Sequence, residues 1–204
     1  MATEIELKVH VKNFEVLRLL LLEKANYHYS FEKDDNYWFP QEYPPSDQLR
    51  GTLPLSGLRI RRESRIFPDE TAESLTLVTY KTKEVRDGVE INDEREFSVD
   101  PAPLFEELLK RMGFKPGISK HKQGWAFSRE GIGAELLEVK GLGWFLELEI
   151  IVDEIPDGER REETLAKGRK RLLDLLDSFG IERGAIESRF YSEMLGKSGM
   201  CGII

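Results

Sequence analysis

The strongest constraint on the fold of this chain is a period-two alternation of apolar and charged residues. In the segment Glu4–Val9, three apolar side chains alternate with Glu4, Glu6 and Lys8. Successive side chains of a β-strand point to opposite faces, so this pattern is typical of a half-buried strand. Seven further segments are predicted as strands: Tyr27–Phe39, Leu58–Ile66, Leu75–Thr82, Glu90–Val99, Ile118–Ser128, Ala134–Val139 and Phe145–Val152. Eight such strands favour a sheet that closes on itself as an antiparallel barrel.

Three other segments follow the helical period. Asn13 can cap a helix over Phe14–Lys24, and a second helix opens after Pro101. The second helix carries one apolar face, formed by Leu104, Phe105, Leu108 and Met112. The third and longest helix is predicted over Glu159–Phe179, and a short final turn lies within Glu187–Leu195. The predicted fold class is therefore α+β, an eight-stranded antiparallel β-barrel with flanking helices.

The chain of 204 residues is predicted to form a single domain over residues 1–195, followed by a flexible tail over 196–204. The proline-rich segment Pro40–Gly57 is interpreted as a long loop between strands. Membrane insertion is not expected, because no apolar run approaches the roughly 18–20 residues of a bilayer span. A single cysteine, Cys201, excludes an intramolecular disulfide and a cysteine-based zinc site. The first residues lack the pattern of a signal peptide, so we expect a cytoplasmic protein.

The polar faces of the predicted strands carry charges that are sorted by sign. The basic members are Lys8, Arg59, Arg61, Lys81, Lys83, Lys120 and Lys122. The acidic members are Glu4, Glu6, Glu94, Glu96, Glu147 and Glu149. On solvent-facing strands such groups would form salt-bridge ladders. Facing inward, they would line a wet lumen, in which basic groups suit phosphate oxygens and carboxylates suit Mg²⁺ or Mn²⁺.

The overall charge bears on the choice of partner. A formal net charge of −8 argues against broad binding to nucleic acid. It does not argue against a small anion inside the lumen, because the proposed lumen residues comprise seven basic and six acidic groups. The expected partner is a small molecule with a polyphosphate chain, rather than nucleic acid or a membrane. The choice between a monomer and a homodimer is left open.

Seven blocks of the sequence also resemble the ordered motifs of a known family. Glu4-Ile5-Glu6-Leu7-Lys8 matches a Glu-x-Glu-x-Lys signature. The blocks that follow are Leu58–Arg62, Leu77–Lys83, Arg95-Glu96, Lys120–Lys122, Gly141–Glu149 and Ser188–Leu195. In this order they resemble the CYTH family, the triphosphate tunnel metalloenzymes, which includes class IV adenylate cyclases, thiamine triphosphatases and inorganic triphosphatases. The resemblance implies an eight-stranded tunnel, open at both ends, that binds a triphosphate-containing small molecule.

The resemblance also implies roles for individual residues. The triphosphate would be bound by Lys8, Arg59, Arg61, Lys81, Lys83, Lys120 and Lys122, with Glu94 and Glu96 as further wall residues. Lys8, Arg59 and Lys81 are the predicted catalytic residues. One or two Mg²⁺ or Mn²⁺ ions would be held by Glu4, Glu6, Glu147 and Glu149.

At two positions the chain departs from the family pattern. Leu137 stands where many relatives have aspartate, and either Glu135 or Glu138 is expected to replace it. Lys122 stands where many relatives have arginine, which keeps the charge but loses bidentate geometry.

Three functions are compatible with these features. The first is that of a class IV adenylate cyclase, which converts ATP to cyclic AMP and pyrophosphate. The second is that of a triphosphatase, which hydrolyses inorganic tripolyphosphate, thiamine triphosphate or a nucleoside triphosphate. The third is a non-catalytic polyphosphate-binding barrel, which the carboxylate doublets disfavour because a pure phosphate binder gains nothing from them. The three tryptophans, Trp38, Trp125 and Trp144, are predicted to pack in the wall rather than stack on a nucleobase.

Overall fold

The computed structural model describes residues 3–41, 57–86, 88–152 and 159–196. The strands are β1 (Thr3–His10), β2 (Asn26–Pro40), β3 (Leu58–Ile66), β4 (Ala72–Arg86), β5 (Val89–Ser98), β6 (Phe114–Arg129), β7 (Ile132–Val139) and β8 (Gly143–Val152). Within the described ranges these eight strands close into an antiparallel barrel, in the order β1-β5-β4-β3-β2-β6-β7-β8. The predicted fold class is confirmed, and every predicted strand is present, although β4 and β6 extend several residues beyond their predicted bounds.

The helices flank the barrel. They are α1 (Phe14–Lys24), α2 (Ala102–Arg111), α3 (Glu159–Ser178) and α4 (Tyr191–Leu195), with a 3₁₀ turn at Arg183–Ala185. The side chain of Asn13 accepts a hydrogen bond from the backbone amide of Val16 at 3.2 Å, which is the predicted N-cap of α1. None of the helices in the described part of the chain is both long and apolar enough to span a membrane.

The main hydrophobic core lies outside the barrel, between its wall and helices α1 and α3. Ile5, Leu7 and Val9 of β1 are buried there with Leu21 of α1 and Leu172 of α3. The apolar face of β1 is therefore the outer face of the barrel. Because side chains alternate along a strand, the charged face of β1 lines the lumen.

The tryptophans pack on the outer side of the barrel wall, as predicted. Trp144 stacks on Phe14 of α1 with ring centroids 3.9 Å apart, and Trp125 stacks on Trp144 at 5.7 Å. Trp38 is buried in a second outer core together with Leu109 of α2. These rings therefore stabilise the contacts between the wall and the helices.

Helix α2 turns most of its apolar face away from the barrel. Ala102 and Leu109 are its buried residues. The exposed members are Leu104, Leu108 and Met112. An apolar stripe normally faces the core. Phe105 alone of the predicted face packs against an outer core of the described structure, and its ring meets Phe97 edge-on at 6.1 Å.

Two predictions fall largely outside the described residues. The proposed loop Pro40–Gly57 includes residues 42–56, and the proposed tail includes residues 197–204, none of which is described. Cys201 belongs to the same undescribed stretch.

Candidate active site

Strand β1 brings one predicted triplet of charges into the lumen. Glu4, Glu6 and Lys8 share the inner face of this strand, opposite the outer core. Lys8 is only 2% exposed, and its ammonium group forms an ion pair with Glu90 on β5. A lysine at this depth is tolerated where a carboxylate pairs with it.

Three carboxylates meet on one side of the lumen. One oxygen each from Glu4, Glu6 and Glu149 lies within 4.8 Å of the other two. Glu6 and Glu149 are direct neighbours across the β1–β8 ladder, and Glu4 lies two residues along β1 on the same face. Three negative charges at this spacing repel one another unless a cation lies among them. Their oxygens are of the type that Mg²⁺ and Mn²⁺ prefer.

Glu147, the fourth predicted metal ligand, pairs with a lysine instead. Its carboxylate accepts hydrogen bonds from the Lys122 ammonium group at 2.9 and 3.2 Å. Burial alone would raise the pKa of Glu147, but the neighbouring Lys122 lowers it well below its usual value. Burial alone would lower the pKa of Lys122, but the charge of Glu147 outweighs burial and raises that pKa above its usual value. The four predicted ligands are therefore divided between a three-carboxylate group and an ion pair.

Arg59 lies at the centre of a second polar cluster. Its guanidinium donates to the hydroxyl of Thr79 at 2.9 Å and to Glu94 at 3.0 Å, and it lies 3.5 Å from Glu96. Glu94 and Glu96 therefore lie beside a predicted substrate-binding arginine, on the wall of the lumen.

Arg61 forms an ion pair with an aspartate that does not belong to any of the strand-face pairs of one charge sign found in the sequence. Asp35 on β2 accepts two hydrogen bonds from the Arg61 guanidinium, at 2.7 and 3.0 Å. The ammonium group of Lys120 lies 3.9 Å from the same carboxylate. Burial raises the pKa of Asp35, but Arg61 outweighs this and holds it well below its usual value. Burial lowers the pKa of Arg61, and the charge of Asp35 more than restores it.

Strand β2 supplies a second inner pair that sequence reasoning missed. The ammonium group of Lys33 donates to both oxygens of Glu135 on β7, at 2.6 and 2.8 Å. Lys33 and Asp35 share one strand face, but their charges are of opposite sign. A search for two residues of one charge sign on a strand face does not find Lys33 and Asp35. Their period-two spacing is the sequence signal that could have placed both on the inner face.

Two of the predicted substrate-binding lysines are placed only by their backbone. Lys81 and Lys83 lie in β4, opposite Glu94 and Asn92 of β5. Their side chains lie outside the described part of the structure.

Tyr191 brings the C-terminal helix into contact with the basic side of the lumen. The ammonium groups of Lys122, Lys8 and Lys120 lie 4.7, 5.4 and 5.7 Å from the centre of its ring. Such distances allow cation–π attraction. Burial, followed by the charge of Glu147, raises the pKa of the Tyr191 hydroxyl well above its usual value. Tyr191 therefore stays neutral, and three lysine ammonium groups lie around its ring.

The family assignment rests on a match over nearly the whole chain. The sequence profile of the CYTH domain matches residues 2–191. The chain belongs to the CYTH family. The predicted resemblance is thus confirmed.

Relatives of this CYTH protein share its length and fold. A protein of Methanocaldococcus jannaschii, whose name assigns it provisionally to the adenylate cyclases, is 26% identical over 196 residues, which span 95% of this chain and 97% of that protein. A solved structure from Pyrococcus horikoshii has a TM-score of 0.70 at 23% identity, covering 95% of this chain and 98% of that one. A Hippeastrum protein, described as having a dominant triphosphatase activity, has a TM-score of 0.58 at 16% identity, covering 98% and 96%.

The structure shows the surroundings of Leu137, where the chain departs from the CYTH pattern, and of the two glutamates expected to replace the missing aspartate. Leu137 is buried in an apolar cluster with Phe145. Glu135 lies on the inner face and pairs with Lys33, whereas the exposed Glu138 accepts a hydrogen bond from Gln123 at 2.8 Å. Of the two candidates, Glu135 therefore reaches the lumen, where it lies outside the three-carboxylate group.

Proposed function

We propose that this CYTH protein is an enzyme that carries out divalent-metal-dependent phosphoryl chemistry on a small molecule with a triphosphate chain. The observation that carries this proposal is the presence, in one lumen, of a three-carboxylate group beside buried arginines and lysines. The carboxylates suit a hard divalent cation, and the basic groups suit phosphate oxygens. A non-catalytic phosphate binder would have no use for the carboxylates.

The donor set fits Mg²⁺ or Mn²⁺. Glu4, Glu6 and Glu149 would hold the ion, since their oxygens already converge. When bound, such an ion would supply positive charge that stabilises the negative charge that develops on the phosphate oxygens during transfer. The basic side chains of the lumen are also suited to that charge, since Arg59 and Arg61 present planar forks for phosphate oxygens.

Binding of substrate would require an exchange of partners inside the lumen. Arg61 is paired with Asp35, Lys122 with Glu147, and Arg59 with Glu94. A triphosphate would offer each cation oxygens that replace or supplement those carboxylates. These pairs hold the cations in fixed positions before substrate arrives, which reduces the reorganisation that binding demands.

The reaction proposed first is that of a class IV adenylate cyclase. The ribose 3′-oxygen of ATP would bond to the α-phosphorus, the bond from that phosphorus to the bridging oxygen would break, and pyrophosphate would leave. The hydroxyl proton passes to water in the same process. The support for this choice is the similarity over the full chain to the Methanocaldococcus jannaschii protein with a cyclase name.

A second candidate is a triphosphatase, in which water bonds to the terminal phosphorus, the bond from that phosphorus to the bridging oxygen breaks, and orthophosphate is released together with the remaining diphosphate product. Two observations favour it. The three tryptophans pack on the outer side of the barrel wall, so none of them is available to stack on a base in the lumen. The Hippeastrum relative, which shares the fold, is described as a dominant triphosphatase.

The two reactions are distinguished by their products. The purified protein would be incubated with ATP, thiamine triphosphate or tripolyphosphate, each with Mg²⁺ or Mn²⁺, and the products resolved by phosphorus NMR. Cyclic AMP with pyrophosphate identifies the cyclase, and orthophosphate identifies the triphosphatase. If all three compounds remain intact, the enzyme proposal is wrong and the binding barrel is favoured.

Substitutions of two proposed metal ligands test the metal assignment. Glu4→Gln and Glu6→Gln should lower metal-dependent turnover by about 100-fold or more, because several kcal/mol of charge stabilisation is lost. Glu138→Gln is the matched control, because Glu138 points outward and should leave turnover unchanged. Circular dichroism would check that each variant is folded. Full turnover in both lumen variants would show that these glutamates do not hold the metal.

A further inference from the structure

A buried amide without hydrogen bonds lies on the wall of the lumen. Asn92 of β5 is completely buried, at 0% exposure. Neither its Nδ2 nor its Oδ1 atom has a hydrogen-bond partner among the described residues. Buried polar side chains are nearly always hydrogen-bonded, so an orphaned amide is an exception that calls for an explanation. A ligand that satisfies it would supply one.

The position of Asn92 places it beside the three-carboxylate group. It alternates with the outer-core residue Ile91, so it shares the inner face of β5 with Glu90 and Glu94. In the β1–β5 ladder Asn92 is the direct partner of Glu4. Side chains directly opposite each other on antiparallel strands have Cβ atoms about 4.5–5.5 Å apart.

Strand β1 lies between the two strands that complete this site. Glu149 lies on β8, on one side of β1, and Asn92 lies on β5, on the other. Glu4 and Glu6 project between them. An ion held by the three carboxylates is therefore flanked by the one fully buried amide of the described lumen that lacks a partner.

We propose that the carboxamide oxygen of Asn92 is a fourth protein ligand of the divalent cation held by Glu4, Glu6 and Glu149. The inference rests on the metal binding set out in the proposed function. Amide oxygens are ordinary ligands of hard divalent cations. A neutral fourth ligand adds coordination without adding charge to a site that already holds three carboxylates. The same oxygen has no hydrogen-bond partner in the described part of the structure, so the amide gains a bond when the ion binds.

The first test uses Asn92→Leu, which keeps the approximate size of the side chain and removes both polar atoms. Mn²⁺ affinity of the otherwise intact, substrate-free protein would be measured by isothermal titration calorimetry. We expect the affinity to fall by about tenfold or more, as for the loss of a ligand-supporting group. The metal-free protein should unfold about 2–4 °C higher, because an unsatisfied buried amide has been removed.

Asn36→Leu is the matched control. Asn36 lies on the outer side of β2, where it accepts a hydrogen bond from Ser119 at 2.7 Å. Its replacement should leave Mn²⁺ affinity unchanged. A second variant, Asn92→Asp, keeps an oxygen in the proposed place. It should bind Mn²⁺ at least as tightly as the original protein while unfolding at a lower temperature without metal, because a fourth carboxylate repels the other three.

Each possible result shows whether Asn92 is a ligand of the metal ion or whether the metal site itself is wrong. If Asn92→Leu binds Mn²⁺ with unchanged affinity while Glu4→Gln does not bind it, the metal site stands and Asn92 is not a ligand. If the unchanged protein binds no Mn²⁺, the proposed metal site itself is wrong. If Asn92→Leu fails to fold, Asn92→Asp decides the question, and a tenfold loss of affinity in that variant would overturn the proposal.

Discussion

The Asp35–Arg61 pair offers a quantitative test of how the lumen is built. The Asp35 side chain has no exposed surface, and Arg61 is only 13% exposed. Replacing Asp35 with asparagine removes the charge that compensates the Arg61 guanidinium and leaves the nearby Lys120 to repel it. Loss of one partner from a buried ion pair costs about 3–5 kcal/mol. For a chain of this size that corresponds to a drop of about 6–20 °C in melting temperature.

The exposed neighbour Asp34 supplies a matched control. Asp34 points outward and pairs with His121 at the surface, 2.8 Å away. Asp34→Asn should change the free energy of unfolding by less than about 1 kcal/mol. Urea denaturation at pH 7 would measure both variants. An Asp35→Asn protein as stable as Asp34→Asn would refute the conclusion that this pair is buried and electrostatically coupled.

The same pair predicts a pH dependence with a definite sign. The pKa of Asp35 is depressed in the folded protein, against about 3.9 in an unfolded chain. Its stabilising contribution is therefore complete above that pH and is lost as the pH falls through the folded-state pKa. The difference in stability between the original protein and Asp35→Asn should be constant at neutral pH and shrink below pH 4. A difference that instead grows on acidification would contradict the assignment.

Two further predictions concern packing. Gly124→Ala should destabilise the protein by about 1–3 kcal/mol, because a Cβ there would lie 2.2 Å from the carbonyl oxygen of Leu136. Gly133→Ala should be nearly neutral in the same denaturation assay, because its nearest contact would be an ordinary 3.7 Å.

Much of the fold follows from local patterns. Alternation along β1 and the leucines of α3 predict two of the elements that form the main core, and both predictions are confirmed. Helix α2 shows where such reasoning fails. Its apolar face is evident in the sequence, but the direction in which that face points depends on how the helix packs on the barrel wall.

The candidate site also combines features that the sequence predicts with features that depend on the tertiary structure. Sequence patterns placed Glu4, Glu6 and Glu149 among the metal ligands, and the structure brings these three carboxylates together. They also grouped Glu147 with them, although its carboxylate pairs with Lys122. Sequence position does not distinguish these two neighbours on one strand face, because the distinction depends on which residues of the other strands lie beside each of them.

What the sequence determined by itself is the family, the barrel and the sign of the charge on most inner faces, since these depend on the type and spacing of residues along single strands. Only the tertiary structure decided which charges meet. Asp35 reaches Arg61 because of the register between β2 and β3, and Asn92 lies opposite Glu4 because closure of the barrel pairs β1 with β5. Electrostatic energies fall off with distance and depend on burial, so the chemistry of the lumen is set by that register.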